Sequence, residues 1–169
     1  MKRFLKNKKG FTLFEVIIYV AILGMIVVSF ISFVLAISNV RTKSYVVSEV
    51  NSNLRIAMDL ISQKIRSAEA VTSPLSGANS ASLELDMPNA EPNIVFALQD
   101  GVLYLTEDII TENAITNPEI NITVLKFTNL GASGKRDSLR IEMAGEYRNA
   151  DSQEFNYSNS LKTTVNLRK

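Results

Sequence analysis

Apolar residues are concentrated in one uncharged run near the N-terminus. Residues 16–40 carry no charge, and sixteen of these 25 residues are Ile, Val, Leu or Phe. A helix of this length measures about 37 Å, more than the roughly 30 Å hydrocarbon core of a bilayer. The run therefore predicts a single membrane-spanning helix.

Helical spacing continues beyond the uncharged run. Apolar residues recur at intervals of three and four and form one stripe: Val47, Val50, Leu54, Ala57, Ile61, Ile65 and Ala68. No Gly or Pro lies between Met25 and Ser73, and Pro74 and Gly77 follow as stop signals. The pattern predicts one helix from about Thr12 to Glu69, whose first half is transmembrane and whose second half is amphipathic.

The rest of the chain has the pattern of short strands. Predicted strands occupy residues 82–86, 94–98, 102–105, 120–127, 139–143 and 161–167. Asp100-Gly101 between two apolar runs predicts a tight hairpin. A slip in the apolar phase between Val124 and Leu125 predicts either a β-bulge or a strand buried on both faces. Five to seven strands covering half of a helix form an α+β fold with an antiparallel β-sheet domain.

Composition narrows the chemistry. The chain has 18 basic and 17 acidic residues, a net charge of +1, which argues against nucleic-acid contact. It has no Cys and no His, so disulfides, thiolate chemistry, zinc hydrolysis and Ser-His-Asp catalysis are excluded. Carboxylates, Lys, Tyr and hydroxyl groups remain available for catalysis, but no pair of carboxylates stands out for that role. We expect no enzyme, no catalytic residue, no metal site and no cofactor.

The positive charges at the N-terminus predict orientation. Lys2, Arg3, Lys6, Lys8 and Lys9 form a basic cluster immediately before the apolar run. By the positive-inside rule this end stays in the cytoplasm, and the residues after the helix lie outside it. A cleaved secretory signal peptide is disfavoured, because its apolar core has about 7–15 residues. Hydropathy alone does not exclude a plain signal anchor.

A single carboxylate, Glu15, lies at the start of the predicted membrane helix. Charged groups at such positions are costly and often functional. The helix dipole favours an acid near the N-terminus, which explains its tolerance but not the Gly10-Phe11 junction just before it.

These residues resemble the type IV prepilin family, which includes the pseudopilins of type II secretion and competence systems. The resemblance rests on Lys9-Gly10, Phe11-Thr12-Leu13, Glu15, and the apolar run through residues 21–24. It implies that a prepilin peptidase cuts between Gly10 and Phe11 and that Phe11 is N-methylated. It also implies that Glu15 sets the register in a filament, with its carboxylate facing the Phe11 amine of a neighbouring subunit. An ammonium and a carboxylate paired in apolar surroundings relieve each other's burial cost.

The resemblance extends to fold, partners and location. It implies a pilin-like fold, other pilin or pseudopilin subunits, an inner-membrane assembly platform, and a single-pass inner-membrane stage before entry into a pilus or pseudopilus. Residues 55–68 are similar to the helix end of larger minor subunits, the W-type of pili and the J-type of type II secretion, which implies a role in priming or at the tip. The chain lacks the Cys pair of many pilins, and residues 16–40 lack the Pro that many carry there. Pilus, type II secretion and competence systems therefore stay open.

We expect four segments on this basis. They are a leader at residues 1–10, a transmembrane or filament-core helix at 11–40, an amphipathic continuation at 41–69, and an extracytoplasmic β-rich domain at 70–169. The alternative is a signal-anchored extracytoplasmic binding domain that is not assembled into a filament.

Acidic residues are concentrated in the middle of the chain. Residues 67–125 contain nine acidic residues and no Lys or Arg. The simplest interpretation is a solvated surface that is neutralised within the fold. Pairing with basic surface on neighbouring subunits is a second interpretation. Calcium bound by Glu107, Asp108 and Glu112 is a third, although their spacing is not that of an EF-hand.

Overall fold

The computed structural model describes residues 10–88, 91–108, 111–131, 138–148 and 155–167. It contains one helix, α1 (Leu13–Ser67), followed by β-strands. The chain separates into two compact units, Met1–Arg41 and Thr42–Lys169, and α1 begins in the first and ends in the second. The helix confirms the prediction from about Thr12 to Glu69 to within two residues at each end.

In the N-terminal unit the apolar side chains of α1 are exposed. Ile17, Leu23 and Phe30 are among the large apolar residues whose side chains face outward on all sides of the helix. By length and composition α1 can cross a membrane, and none of its most apolar 18-residue stretch is buried. Apolar surface on this scale requires lipid or other helices around it.

In the C-terminal unit α1 buries one stripe of side chains. The stripe is formed by Val46, Val50, Leu54, Ala57, Ile61, Ile65 and Ala68, all at most 1% exposed. The prediction that Val47 begins this stripe is wrong, since Val47 is only partly buried. Val46 lies four residues before Val50, which places it directly in line with the remaining members of the stripe.

Five strands form the first antiparallel sheet, in the order β1-β3-β4-β5-β6. Their bounds are β1 (Ala70–Ser73), β3 (Leu83–Asp86), β4 (Ile94–Gln99), β5 (Val102–Asp108) and β6 (Thr111–Ala114). Alternate residues of the central strands are buried, as expected for a sheet with one face on the core.

Four strands form the second antiparallel sheet, in the order β2-β7-β8-β9. Their bounds are β2 (Asn79–Ser80), β7 (Ile120–Asn129), β8 (Ser138–Tyr147) and β9 (Ser158–Asn166). Leu139, Ile141 and Met143 of β8 are buried on one face, which confirms their predicted common orientation. The backbone N–H of Ile122 donates to the carbonyl of Gly101 at 2.8 Å and so joins the second sheet to the first.

All six predicted strands are present. The strands β1, β2 and β6 were not predicted, and the strands belong to two sheets and not one. The predicted hairpin is confirmed, because β4 and β5 flank Asp100 and Gly101, which have φ values of 49° and 76°. Two consecutive positive φ angles are typical of the type I′ turn that Asp-Gly favours.

The predicted bulge lies slightly earlier than expected. The register of β7 against β8 shifts between Ile122 and Val124, so Thr123 is the extra residue. The prediction of a slip between Val124 and Leu125 is therefore right in kind and wrong in position. Thr123 and Val124 are both exposed, so the alternation of buried and exposed residues is interrupted there and resumes at Leu125. The segment Gly131-Ala132-Ser133-Gly134, whose composition predicts a turn, lies largely outside the described residues.

The helix packs closely on the second sheet at Gly145. A Cβ atom at this position would lie 3.2 Å from Cδ2 of Leu54 in α1 and 3.1 Å from Cδ1 of Ile122 in β7. The missing side chain therefore lets the helix approach the strand. Buried residues of α1 and of both sheets form one hydrophobic core.

Polar side chains fix the helix on both flanks of its buried stripe. Asn51 contacts β9, where the amide of Asn159 donates to its side-chain oxygen at 2.6 Å. On another flank, Asn53 accepts from the backbone N–H of Asn117 at 2.9 Å. Near the helix end, Lys64 forms an ion pair with Glu107 at 2.6 Å. These contacts define how this part of α1 is rotated against the strands.

Candidate functional site

The predicted processing junction lies just before the helix. Gly10, Phe11 and Thr12 precede α1, and Thr12 is its N-cap. The Thr12 hydroxyl accepts a hydrogen bond from the backbone N–H of Glu15 at 3.2 Å. The Thr12 carbonyl accepts from Val16 at 3.2 Å. Thr at the N-cap with Glu three residues later is the sequence signature of a capping box, so the sequence itself starts the helix here.

Gly10 and Phe11 are accessible. Gly10 is exposed, and a Cβ placed on it would meet nothing within 4 Å. Phe11 is 74% exposed. Glycine at position 10 is therefore not required by any contact with the described residues of this chain.

Glu15 lies in the first turn of α1 and is partly buried, whereas its neighbours are exposed. Its Oε1 accepts a hydrogen bond from the Tyr19 hydroxyl at 3.2 Å. The Tyr19 ring also packs edge-on against the Phe11 ring, with 6.3 Å between centroids and 72° between planes. The structure thus brings Phe11, Glu15 and Tyr19 together.

Tyr19 is the site residue that sequence reasoning missed. It follows Glu15 by four residues, the spacing at which side chains meet on a helix, and this spacing was the available signal. Its hydroxyl can donate, and a carboxylate in apolar surroundings needs a donor.

The arrangement is suited to binding a cation. The carboxylate at the N-terminal end of α1 has one hydrogen bond from Tyr19, and an ionised carboxylate has further acceptor capacity for a positive group. In the uncut chain the nitrogen of Phe11 is part of a peptide bond. Hydrolysis of that bond would turn it into a free α-amine, a group that can carry a positive charge.

The predicted leader's basic cluster lies outside the described residues: Lys2, Arg3, Lys6, Lys8 and Lys9. Its role remains a prediction.

The calcium interpretation gains no support from the described part of the chain. Within it, no group of three or more His, Cys, Asp or Glu residues is arranged to hold a metal ion. Glu107 is instead paired with Lys64. The side chain of Asp108 is outside what the structure describes.

The fold and the comparisons point to the same class of protein. An apolar N-terminal helix packed on antiparallel sheets gives a pilin-like α+β architecture. Residues 5–31 match the family model of the prokaryotic N-terminal methylation motif, which supports a type IV prepilin-like family and a pilin-like precursor. No curated protein and no solved structure matches the chain. The match ends at residue 31, before the amphipathic part of α1 and both sheets.

Proposed function

We propose that this chain is a filament subunit made as a prepilin. A prepilin peptidase cuts between Gly10 and Phe11, the new Phe11 amine is N-methylated, and α1 packs into a type IV pilus-like or type II secretion filament. The observation that carries this proposal is the methylation motif at residues 5–31. Within it, Gly10 and Phe11 are exposed, and Glu15 lies in the first turn of α1.

The geometry at the junction supports cleavage. A peptidase needs an unfolded, accessible peptide bond, and Gly10 and Phe11 lie exposed before the first turn of α1. Because no described residue restricts position 10, the glycine there is explained by what the peptidase accepts.

The Glu15 carboxylate supports a role in filament assembly. An unpaired carboxylate in lipid is energetically costly, and the Phe11 ammonium of a neighbouring subunit would relieve that cost in a filament core. The exposed apolar side chains of residues 13–40 would then be covered first by lipid and later by the helices of other subunits. The role of Glu15 is thus to register one subunit against the next.

The finer assignment is a minor pilin or pseudopilin with a role in priming or at the tip. It is supported by the resemblance of residues 55–68 to the helix end of larger minor subunits. The absence of Cys is compatible with a pseudopilin and with a pilus subunit that has no disulfide. The partners would be the prepilin peptidase, other pilin or pseudopilin subunits and an inner-membrane assembly platform. The β-rich unit would lie outside the cytoplasm, with the leader inside.

Substitution of Gly10 tests processing. Gly10→Val should abolish cleavage when the full chain is co-expressed with a prepilin peptidase, because a β-branched side chain would block the peptidase subsite. Gly24→Ala is the matched control, since a Cβ there also meets nothing within 4 Å, and it should be cleaved normally. Cleavage is read as a mobility shift of the tagged chain. Equal cleavage of Gly10→Val and the native chain would contradict the proposal. An uncleaved native chain would also contradict it and would favour a signal-anchored binding domain.

A further inference from the structure

The outward face of the five-stranded sheet is acidic. Glu84, Val95, Thr106 and Glu112 stand opposite one another across β3, β4, β5 and β6. Their neighbours along the strands, including Leu85, Phe96 and Leu105, are buried on the inward side. We call the outward residues the acidic face: Glu84, Asp86, Val95, Tyr104, Thr106 and Glu112.

These carboxylates are not neutralised within the described fold. Glu84 accepts from the Asn93 amide at 3.2 Å, and Glu112 accepts from the Gln99 amide at 3.3 Å, and both donors are uncharged. Residues 67–125 contain no Lys or Arg. Among the described acidic residues of this block, the ion pair found is that of Glu107 with Lys64. Ion pairs among the described residues therefore do not neutralise the carboxylates of the acidic face.

The outward face of the four-stranded sheet has the opposite charge. Lys126, Glu142 and Lys162 stand opposite one another across β7, β8 and β9, and Arg140 lies two residues before Glu142. Lys162 contacts Glu142 at 2.5 Å. Hydrogen bonding to Lys162, followed by the charges of Lys162, Lys126 and Arg140, lowers the pKa of the Glu142 carboxyl. One carboxylate thus faces three cations around Glu142, and Glu146 adds a second carboxylate farther along the same side of β8. We call these residues the basic face: Lys126, Arg140, Glu142, Glu146 and Lys162.

An apolar cleft adjoins the basic face. It has a volume of about 270 Å³ and is lined by Val124, Ala144 and Leu161 together with Glu142 and Lys162. Val124, which follows the β-bulge, is 47% exposed. The acidic face offers apolar groups of its own between its carboxylates, since Val95 and Tyr104 are only partly buried.

We propose that the acidic face of one copy docks on the basic face of a second copy of this chain. The two faces carry opposite charge, three carboxylates against a net charge of +1, and each combines charge with apolar surface. Opposite charges set the orientation of such a contact and exclude like-charged pairings. The two patches differ, so the contact is head-to-tail, and contacts of this type build rings or open helical filaments. The inference rests on the proposed filament function, for a subunit present in more than one copy per filament, and names a contact outside the helix core.

Introduced cysteines test the contact, because the native chain has none. Thr106→Cys lies at the centre of the acidic face, and Thr164→Cys lies on the basic face opposite Arg140. The two full-length variants, with different tags, are co-expressed in membranes and oxidised. We expect a disulfide between the two variants and no enrichment of Thr106–Thr106 or Thr164–Thr164 dimers. Ser48→Cys, an exposed position on α1, is the control partner. Equal cross-linking of Thr164→Cys to Ser48→Cys and to Thr106→Cys would overturn the proposal.

Charge reversal tests whether the opposite charges of the two faces cause the cross-linking. Glu84→Lys with Glu112→Lys in the Thr106→Cys copy should lower the cross-linked fraction roughly fivefold. Lys126→Glu with Lys162→Glu in the other copy should restore it. Failure of the double reversal to restore cross-linking, with each variant melting as the native chain does, would also overturn the proposal.

Processing is read from the same samples by the mass of the N-terminal peptide. A chain that starts at Phe11 but shows no specific disulfide contradicts this contact and leaves the proposed function standing. A chain that still starts at Met1 contradicts the proposed function, whatever the cross-linking shows.

Discussion

Single side chains determine what the N-terminus can do. Glu15 is held by the hydroxyl of Tyr19, whose ring also contacts Phe11. This small cluster keeps the carboxylate beside the residue whose amine would be released by cleavage. In lipid the hydroxyl satisfies one acceptor of Glu15, and further acceptor capacity stays open for a cation.

Replacement of Glu15 separates processing from assembly. We expect Glu15→Ala to be cleaved nearly as well as the native chain, because the peptidase acts at the exposed junction. Its incorporation into filaments should fall strongly, because a neighbour's ammonium would then be buried without a partner. The measurement is the share of mature chain that co-sediments with sheared filaments. Tyr19→Phe, which keeps the ring, is the matched control and should reduce incorporation much less. Normal incorporation of Glu15→Ala would contradict the register role.

Tyr147 makes a comparable contact in the C-terminal unit. It is 7% exposed, donates to Oε2 of Glu119 at 3.1 Å and stacks on Phe155 at 5.7 Å between ring centroids. Burial raises the pKa of its phenol above the usual 10.0, and the hydrogen bond to Glu119 adds to this. The folded state therefore favours the neutral phenol.

This shift predicts how stability depends on pH. Tyr147→Phe keeps the ring and should cost about 0.5–1.5 kcal/mol near neutral pH through the lost hydrogen bond. A raised folded-state pKa contributes stability below pH 10.0, and that contribution is lost as the pH rises above it. Thermal unfolding of the full chain in detergent should therefore show the difference between variant and native protein shrinking above this pH. A difference that stays constant up to the most alkaline pH would contradict the assignment.

At the scale of elements, the second half of α1 is held by close packing and by polar contacts at its flanks. Leu54 reaches the strand β8 because position 145 has no side chain. Asn51, Asn53 and Lys64 add hydrogen bonds and an ion pair to three different parts of the sheets. The helix thus has one defined rotation against the strands, although a bare apolar stripe would tolerate several.

Substitution of Gly145 tests this packing. Gly145→Val should lower the free energy of unfolding by about 1–3 kcal/mol, because its side chain would overlap Leu54 and Ile122. Ala144→Val is the matched control on the outward side of the same strand and should change stability by less than about 0.5 kcal/mol. Both values come from thermal unfolding followed by circular dichroism. Equal effects of the two substitutions would show that the helix does not pack on Gly145.

Local patterns predicted much of the molecule, and non-local contacts explain the rest. The helix, the Asp100-Gly101 hairpin and six strands follow from periodicity and turn chemistry over short stretches. The two-residue strand β2 could not be predicted, because its pairing with Thr128 and Phe127 depends on residues far along the chain. β6 lacks an apolar alternation and is a strand because it pairs with β5. Gly10, Phe11 and Glu15 were singled out by their resemblance to the type IV prepilin motif. Tyr19 was missed, although it follows Glu15 by four residues.

The whole molecule combines an apolar helix unit with a charged, sheet-rich unit. The first has exposed apolar side chains over residues 13–40, and the second has its own core and two oppositely charged sheet faces. The first unit fits a membrane anchor, and in the proposed filament both units would contact neighbouring subunits. These two units fit a filament subunit better than a tethered binding domain, because a tethered domain would not explain Glu15 or the Gly10-Phe11 junction.

Intact mass spectrometry of the chain extracted from membranes that contain a prepilin peptidase tests this account most directly. The account predicts the mass of residues 11–169 plus one methyl group, with the methyl on the amine of Phe11. A chain that retains residues 1–10, or one that begins at Phe11 with an unmodified amine, would contradict it.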